Sequence, residues 1–87
     1  MMVRVKVVGP LARKLGSELE AEVSEGATLG KAVQEIFRRF GLGEVDLTTR
    51  SSAHGFLTVL LNGKSLSFDS SVKEGDQIAF IPPLVGG

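Results

Sequence analysis

The sequence has 87 residues, of which 43% are hydrophobic and 23% charged, and its formal net charge is zero. These values are typical of one soluble globular domain with a single modest core. A zero net charge gives no general attraction to nucleic acid or to an anionic membrane, and no apolar run is long enough to cross a bilayer. The lack of cysteine excludes disulfides, thiolate metal sites and thiol catalysis. We therefore expect a cytoplasmic domain that binds no metal, nucleic acid or membrane.

The first third of the chain predicts a β-hairpin. Apolar and polar residues alternate over 3–7 and again over 18–23, which is typical of strands with one buried face. Gly9-Pro10 ends the first strand, and residues 11–16 predict a loop that contains at most a short helical turn. Because the connection is short, the two strands are predicted to pair antiparallel.

The next segment predicts one amphipathic helix. Thr28 is a suitable N-cap, and Gly41 is a suitable residue to follow the last turn. The apolar residues between them fall on one stripe of a helix: Leu29, Ala32, Val33, Ile36, Phe37 and Phe40. Such a stripe predicts a helix that covers the core.

The second half predicts further strands. Residues 42–55 are compatible with a loop or a short second helix. Residues 56–61 are nearly all apolar, which predicts a strand covered on both faces. Since one helix covers only one face, we expect the other face to meet a second protein. Asn62-Gly63 predicts a tight turn into a short strand over 64–68, and residues 77–81 predict the last strand.

This order of elements predicts an α+β fold of the β-grasp (ubiquitin-like) type. The expected sheet is mixed, with four to five strands, one main helix on one face, and the first and last strands parallel at its centre. Residues 1–81 are predicted to form the domain, and residues 82–87 an extended C-terminal tail.

The tail has an unusual composition. Pro82 and Pro83 end any sheet pairing because neither ring nitrogen can donate a hydrogen bond. Gly86 and Gly87 lack side chains, so the backbone can enter a channel in which a Cβ would clash. The pattern predicts that the carboxylate of Gly87 is the reactive group, whereas the alternative is an ordinary frayed chain end.

Three stretches resemble the ubiquitin-like sulfur carriers, and in particular the small subunits of molybdopterin synthase. They are Asn62-Gly63 after an apolar strand, the run 75–78 (Gly-Asp-Gln-Ile) that opens the last strand, and the run 80–87 that ends the chain. The chain departs from that subunit at Leu84-Val85, where valine and a small residue are usual. Residues 41–55 show no pattern of the family.

The resemblance implies a carrier cycle. An adenylating enzyme of the ubiquitin-activating type would use ATP to activate Gly87, and a sulfur donor would convert the adenylate to a thiocarboxylate. The large synthase subunit would then accept the tail and pass the sulfur to a pterin precursor, within a heterotetramer. The chain itself would bind no cofactor and act as a protein co-substrate rather than an enzyme. The residues expected in the partner's channel are Pro82, Pro83, Leu84, Val85 and Gly86.

Phe80 is predicted, together with Leu84, to anchor the partner interface, since an apolar side chain beside a reactive tail is a natural hot spot. The alternative is that Phe80 faces the helix and belongs to the core. Strand parity places Ile78 and Phe80 on one face and Ala79 and Ile81 on the other, but it does not say which face is inside.

Other functions fit the same tail. The sulfur could serve thiamine synthesis, tRNA thiolation or an amino acid, or the tail could be joined to lysines as a protein modifier. A different class is a non-covalent β-grasp module, for example one that binds RNA. The zero net charge and the absence of Tyr and Trp for base stacking disfavour that class.

Overall fold

The computed structural model describes residues 1–9, 11–53, 55–56 and 58–81. Four of the strands form the main sheet in the order β2-β1-β7-β6, and three two-residue strands form a second sheet in the order β3-β4-β5. The mixed main sheet with one long helix confirms the predicted β-grasp fold. The elements are β1 (Met2–Val7), α1 (Ala12–Leu15), β2 (Glu18–Glu22), α2 (Leu29–Arg39), β3 (Val45–Asp46), β4 (Ser51–Ser52), β5 (Gly55–Phe56), β6 (Thr58–Leu61) and β7 (Gln77–Ile81).

The first and last strands lie at the centre of the main sheet, as predicted. β1 pairs antiparallel with β2 and parallel with β7, and β7 pairs antiparallel with β6. The register sets Val5 opposite Ile78 and Val7 opposite Phe80. The last strand is therefore hydrogen-bonded along both edges, which gives it the most constrained position that a strand of this sheet can have.

Both ends of α2 are capped by the residues that the sequence indicated. The Thr28 hydroxyl accepts a hydrogen bond from the Lys31 N–H at 3.2 Å. At the other end, Gly41 has a φ of +69° and donates to the Arg38 carbonyl, while the Leu42 N–H donates to the Phe37 carbonyl at 2.8 Å. This pair of bonds is a Schellman motif, for which glycine is favoured because it tolerates positive φ.

The core lies between α2 and the inner face of the main sheet. The Phe37 ring meets the Phe80 ring edge-on, with 5.4 Å between the ring centroids. In its first turn α2 comes very close to Leu47, which follows β3, and to Phe68, which lies beyond β6. A Cβ on Gly30 would lie 2.8 Å from Leu47 Cδ1 and 3.1 Å from Phe68 Cβ. Glycine at position 30 permits this approach, because no side chain separates the helix from its neighbours.

Two sequence predictions are corrected. Residues 42–55 form neither a plain loop nor a second helix, since β3 and β4 lie within them and β5 begins at Gly55. The predicted strand over 64–68 is also absent: Leu61 and Lys64 pair as an isolated bridge, and the chain then leaves the sheet. It leaves because the first N–H groups of α2 need acceptors, which the carbonyls of Phe68 and Ser70 supply at 2.9 and 2.8 Å.

Candidate functional site

The end of β7 is the described part of the predicted site. Residues 82–87, which carry all the predictions about the tail, lie outside the described residues, so those predictions stay predictions. β7 ends at Ile81, which pairs with Thr58 of β6. On the other side, the Val8 N–H donates to the Phe80 carbonyl at 3.1 Å, which extends the pairing one residue beyond β1. The chain is therefore held between two strands up to the residue that precedes the tail.

Phe80 is a core residue, which corrects its predicted role at the partner interface. Its side chain is only 2% exposed, and its ring packs against that of Phe37 in α2. The register explains why: Phe80 lies between Val7 and Val59, and both of these also face the helix. The alternative stated for Phe80, that it faces the helix, is the one that the structure shows.

Ala79 and Ile81 point to the opposite, outer face of the sheet, where their neighbours form an apolar surface. Leu60 lies opposite Ala79, and continuing the register of β1 and β7 by one pair sets Val8 beside Ile81. Leu60 and Ile81 are half-buried, and Val8 is 44% exposed. We call Val8, Leu60, Ala79 and Ile81 the outer apolar patch; no helix of the described chain covers it.

Phe56 adds an exposed aromatic side chain near the same end of the sheet. It lies in β5, two residues before β6, and is 62% exposed. Since Thr58 pairs with Ile81, Phe56 lies beyond the end of β7, on the side where the chain continues into the tail. Phe56 was not among the predicted site residues, although the parity of residues 56–61 groups it with Thr58 and Leu60. Exposed apolar groups beside one another mark interaction surfaces.

The two shorter motifs behind the resemblance form one hydrogen-bond network at the other end of β7. The Asn62 side chain accepts from the Gln77 N–H at 2.9 Å and donates to the Asp76 carboxylate at 3.1 Å. The other carboxylate oxygen of Asp76 accepts from the Lys73 N–H at 2.8 Å. This network joins the turn after β6 to the start of β7, so its role is to fix the pairing of these strands.

Membrane-spanning helices and metal-binding clusters are two further features that the described ranges would reveal. Over residues 1–9, 11–53, 55–56 and 58–81, no helix is long and apolar enough to cross a membrane. In the same ranges, no group of three or more His, Cys, Asp and Glu residues is placed to hold a metal ion. The only histidine, His54, lies outside them. The end of β7 with its outer apolar patch is the candidate site.

Comparisons with solved structures find proteins of the same fold. The chain is similar in structure to SAMP1 from Haloferax volcanii, with a TM-score of 0.76 and 25% identity over 100% of both chains. It is also similar to a putative molybdopterin converting factor, subunit 1, from Pyrococcus furiosus, with a TM-score of 0.74 and 25% identity over 97% of this chain and 99% of that one.

A third likeness concerns a complex. A chain in the complex of subunits 1 and 2 of the molybdopterin-converting factor from Helicobacter pylori has the same fold, with a TM-score of 0.62 and 24% identity over 100% of both chains. No curated protein matches the sequence. The model of the ThiS family matches residues 5–87, which is nearly the whole sequence and includes the Gly-Gly pair. The chain belongs to the ThiS family and has the fold of the ubiquitin-like sulfur carriers and modifiers.

Proposed function

We propose that this chain is a sulfur carrier for molybdopterin synthesis in the cytoplasm and the small subunit of a molybdopterin synthase. The observation that carries the proposal is the family match up to Gly87, on a chain whose tail continues from the central strand of the sheet. The run Pro82-Pro83-Leu84-Val85-Gly86-Gly87, which resembles that of the synthase small subunits, supports molybdopterin over the other sulfur acceptors.

The chemistry begins at the Gly87 carboxylate. A carboxylate oxygen attacks the α-phosphorus of ATP, and pyrophosphate leaves. Sulfide, as HS⁻, then attacks the carbonyl carbon of the acyl-adenylate: a C–S bond forms, the C–O bond to AMP breaks, and loss of the S–H proton leaves a thiocarboxylate. No oxidant or reductant is consumed in this exchange. The adenylating enzyme and the large subunit supply the acid–base groups, and this chain supplies the reacting carbon.

The outer apolar patch is the surface on which we expect these partners to dock. It lies next to the end of β7, so a partner that covers it also stands beside the start of the tail. Half-buried Leu60 and Ile81 and the exposed ring of Phe56 present apolar side chains of the kind that mark protein interaction surfaces. Subunit 1 of the Helicobacter pylori factor is found in complex with subunit 2, which supports an equivalent large-subunit partner for this chain.

A second candidate function is that of a protein modifier. It is favoured by the structural likeness to SAMP1, which was also solved as the small archaeal modifier protein 1 of the same organism. In this case the activated Gly87 carbonyl would be attacked by a lysine amine of a target protein, forming an isopeptide bond in place of a thiocarboxylate. Both functions share the adenylation step and diverge afterwards.

The adenylation step provides the test. The purified chain is mixed with each adenylating enzyme of the ubiquitin-activating type encoded in the same genome, and ATP–pyrophosphate exchange is measured. The comparison variant carries one additional alanine after Gly87, and its thermal unfolding is measured to establish that it is folded. We expect exchange with the wild-type chain and none with the extended chain. A wild-type chain that supports no exchange with any of these enzymes, or an extended chain that is equally active, would contradict the proposal.

A further inference from the structure

The outer face of the main sheet is divided into bands that follow the strands. β2 carries an acidic band, Glu18, Glu20 and Glu22, and β1 carries a basic band, Arg4 and Lys6. The outer apolar patch lies on β7 and β6 and includes Val8, the residue after β1. From the edge at β2 towards β6, a partner therefore meets negative, then positive, then apolar side chains.

The two charged bands face each other but do not neutralise each other by close contact. Arg4 lies directly opposite Glu20, and Lys6 lies directly opposite Glu18. All four side chains are exposed, and among the described residues none of them has an ion-pair partner within 4.0 Å. A depression of about 350 Å³ is lined by the same four residues together with Val5, Leu19 and Gln77. The charged groups are thus available to a molecule that covers this face.

We propose that the bands set the orientation of the protein that docks on the outer apolar patch. This inference rests on the proposed function, because the occupant is the adenylating enzyme that activates the tail. Apolar contact alone is non-directional and permits several orientations. The charges admit only a partner that places acidic side chains against Arg4 and Lys6 and basic side chains against the glutamates of β2, since the reverse order brings like charges together.

The arrangement of the charges on this face, rather than the net charge of the chain, can orient the partner. The chain has no net charge, so its attraction to any partner over long distances is small. Two neighbouring bands of opposite sign act only within about one Debye length, roughly 10 Å at 0.1 M salt. Their effect is therefore exerted as the partner approaches the face, and it should appear in the association rate and depend on ionic strength.

The test exchanges the charges of one facing pair. The double variant Arg4→Glu with Glu20→Arg keeps the composition, the net charge and a facing pair of opposite sign, and it reverses the order of the charges at this one pair. The matched control, Glu25→Lys with Lys64→Glu, makes the same kind of exchange between two exposed residues outside the main sheet. The probe is the adenylating enzyme that activates the wild-type chain, and association is followed by stopped-flow fluorescence at low and high salt.

We expect the exchanged variant to associate about tenfold more slowly at low salt, with a difference that shrinks at high salt, and the control to associate at the wild-type rate. An exchanged variant with the wild-type rate at low salt would overturn the inference. Should the exchange impair folding, Arg4→Gln and Glu20→Gln are measured separately, and wild-type rates in both would overturn it equally. A wild-type chain that is not activated contradicts the proposed function instead, so the two failures are distinguishable.

Discussion

The two faces of the main sheet are built from the same strands but are completed differently. On β7, Ile78 and Phe80 point inward and are 0% and 2% exposed, because α2 covers them. Ala79, which is 6% exposed, and half-buried Ile81 alternate with them and point outward. The inner face is thus completed by the chain itself. The outer face is an apolar surface with charged bands beside it, and this difference separates the residues that form the fold from those available to a partner.

Because its side chains alternate between the two faces, β7 contributes both to the core and to the surface available to a partner. β7 is hydrogen-bonded to β1 and β6, so its backbone is held whatever covers its outer side. Substitutions on the inner face should therefore affect stability, and substitutions on the outer face should mainly affect binding. The following variants test that separation.

The largest effect is expected for Phe80→Ala on the inner face. Loss of the buried ring leaves a cavity beside Phe37 and should lower the free energy of unfolding by about 3–5 kcal/mol. That loss is a large share of the free energy of unfolding of a typical domain, which is roughly 5–15 kcal/mol. Urea denaturation measures it, and Ile81→Ala on the outer face, expected to cost about 1 kcal/mol or less, is the control. Equal losses in the two variants would remove the distinction between the faces.

Leu60→Ala should show the opposite behaviour. Leu60 is half-buried on the outer face, so its truncation should lower the free energy of unfolding by only about 1 kcal/mol. Binding to the adenylating enzyme should weaken by about 2 kcal/mol, close to thirtyfold, if the patch is the docking surface. Titration calorimetry measures the affinity. Unchanged binding by a folded Leu60→Ala variant would exclude this side chain from the interface.

Gly30→Ala tests how closely α2 packs on its neighbours. Alanine normally stabilises a helix interior by roughly 0.5–1 kcal/mol relative to glycine. Here its methyl group would press on Leu47 and Phe68, so we expect a net loss of about 1–2 kcal/mol in the free energy of unfolding. Lys31→Ala, at the next and exposed position of the same turn, is the control. A more stable Gly30→Ala variant would show that the contact is not close.

Asn62→Ala tests the hydrogen-bond network at the start of β7. It removes the bonds to Gln77 and Asp76, and it places alanine at a φ of +52°. We expect a loss of about 1–2 kcal/mol in the free energy of unfolding. Asn62→Gly removes the same bonds but accepts positive φ, so it should lose less. Identical thermal unfolding of Asn62→Ala and the wild type would mean that the network does not stabilise the fold.

The sequence predicted those features that depend on local periodicity or on a cap. The stripe of α2 and its limits at Thr28 and Gly41 are of this kind, whereas the parallel pair at the centre of the sheet was predicted from the order of the elements. The strands β3 to β5 have two residues each, which is too short to show a period. The strand expected over 64–68 was wrong because the turn signal at Asn62-Gly63 is local, whereas the need of α2 for the carbonyls of Phe68 and Ser70 is tertiary.

Local sequence patterns are limited in the same way at the candidate site. Parity separated Phe80 from Ile81 but could not say which of them faces the helix, and the contact with Phe37 decides it. Parity groups Phe56 with Thr58 and Leu60, but it does not reveal that the Phe56 side chain is 62% exposed. The predictions for Pro82 to Gly87 rest on the sequence and the family alone, and chemistry rather than geometry tests them.

The most direct test of the carrier function is the intact mass of the protein isolated from its native cells, with fragmentation of its C-terminal peptide. We predict a species in which one oxygen of the Gly87 carboxylate is replaced by sulfur, distinguished by its position from oxidation of Met1 or Met2. A chain with the sulfur on Gly87 would confirm the carrier function. A chain that continues beyond Gly87 in its mature form, or whose Gly87 is found only in isopeptide bonds to lysines, would contradict it.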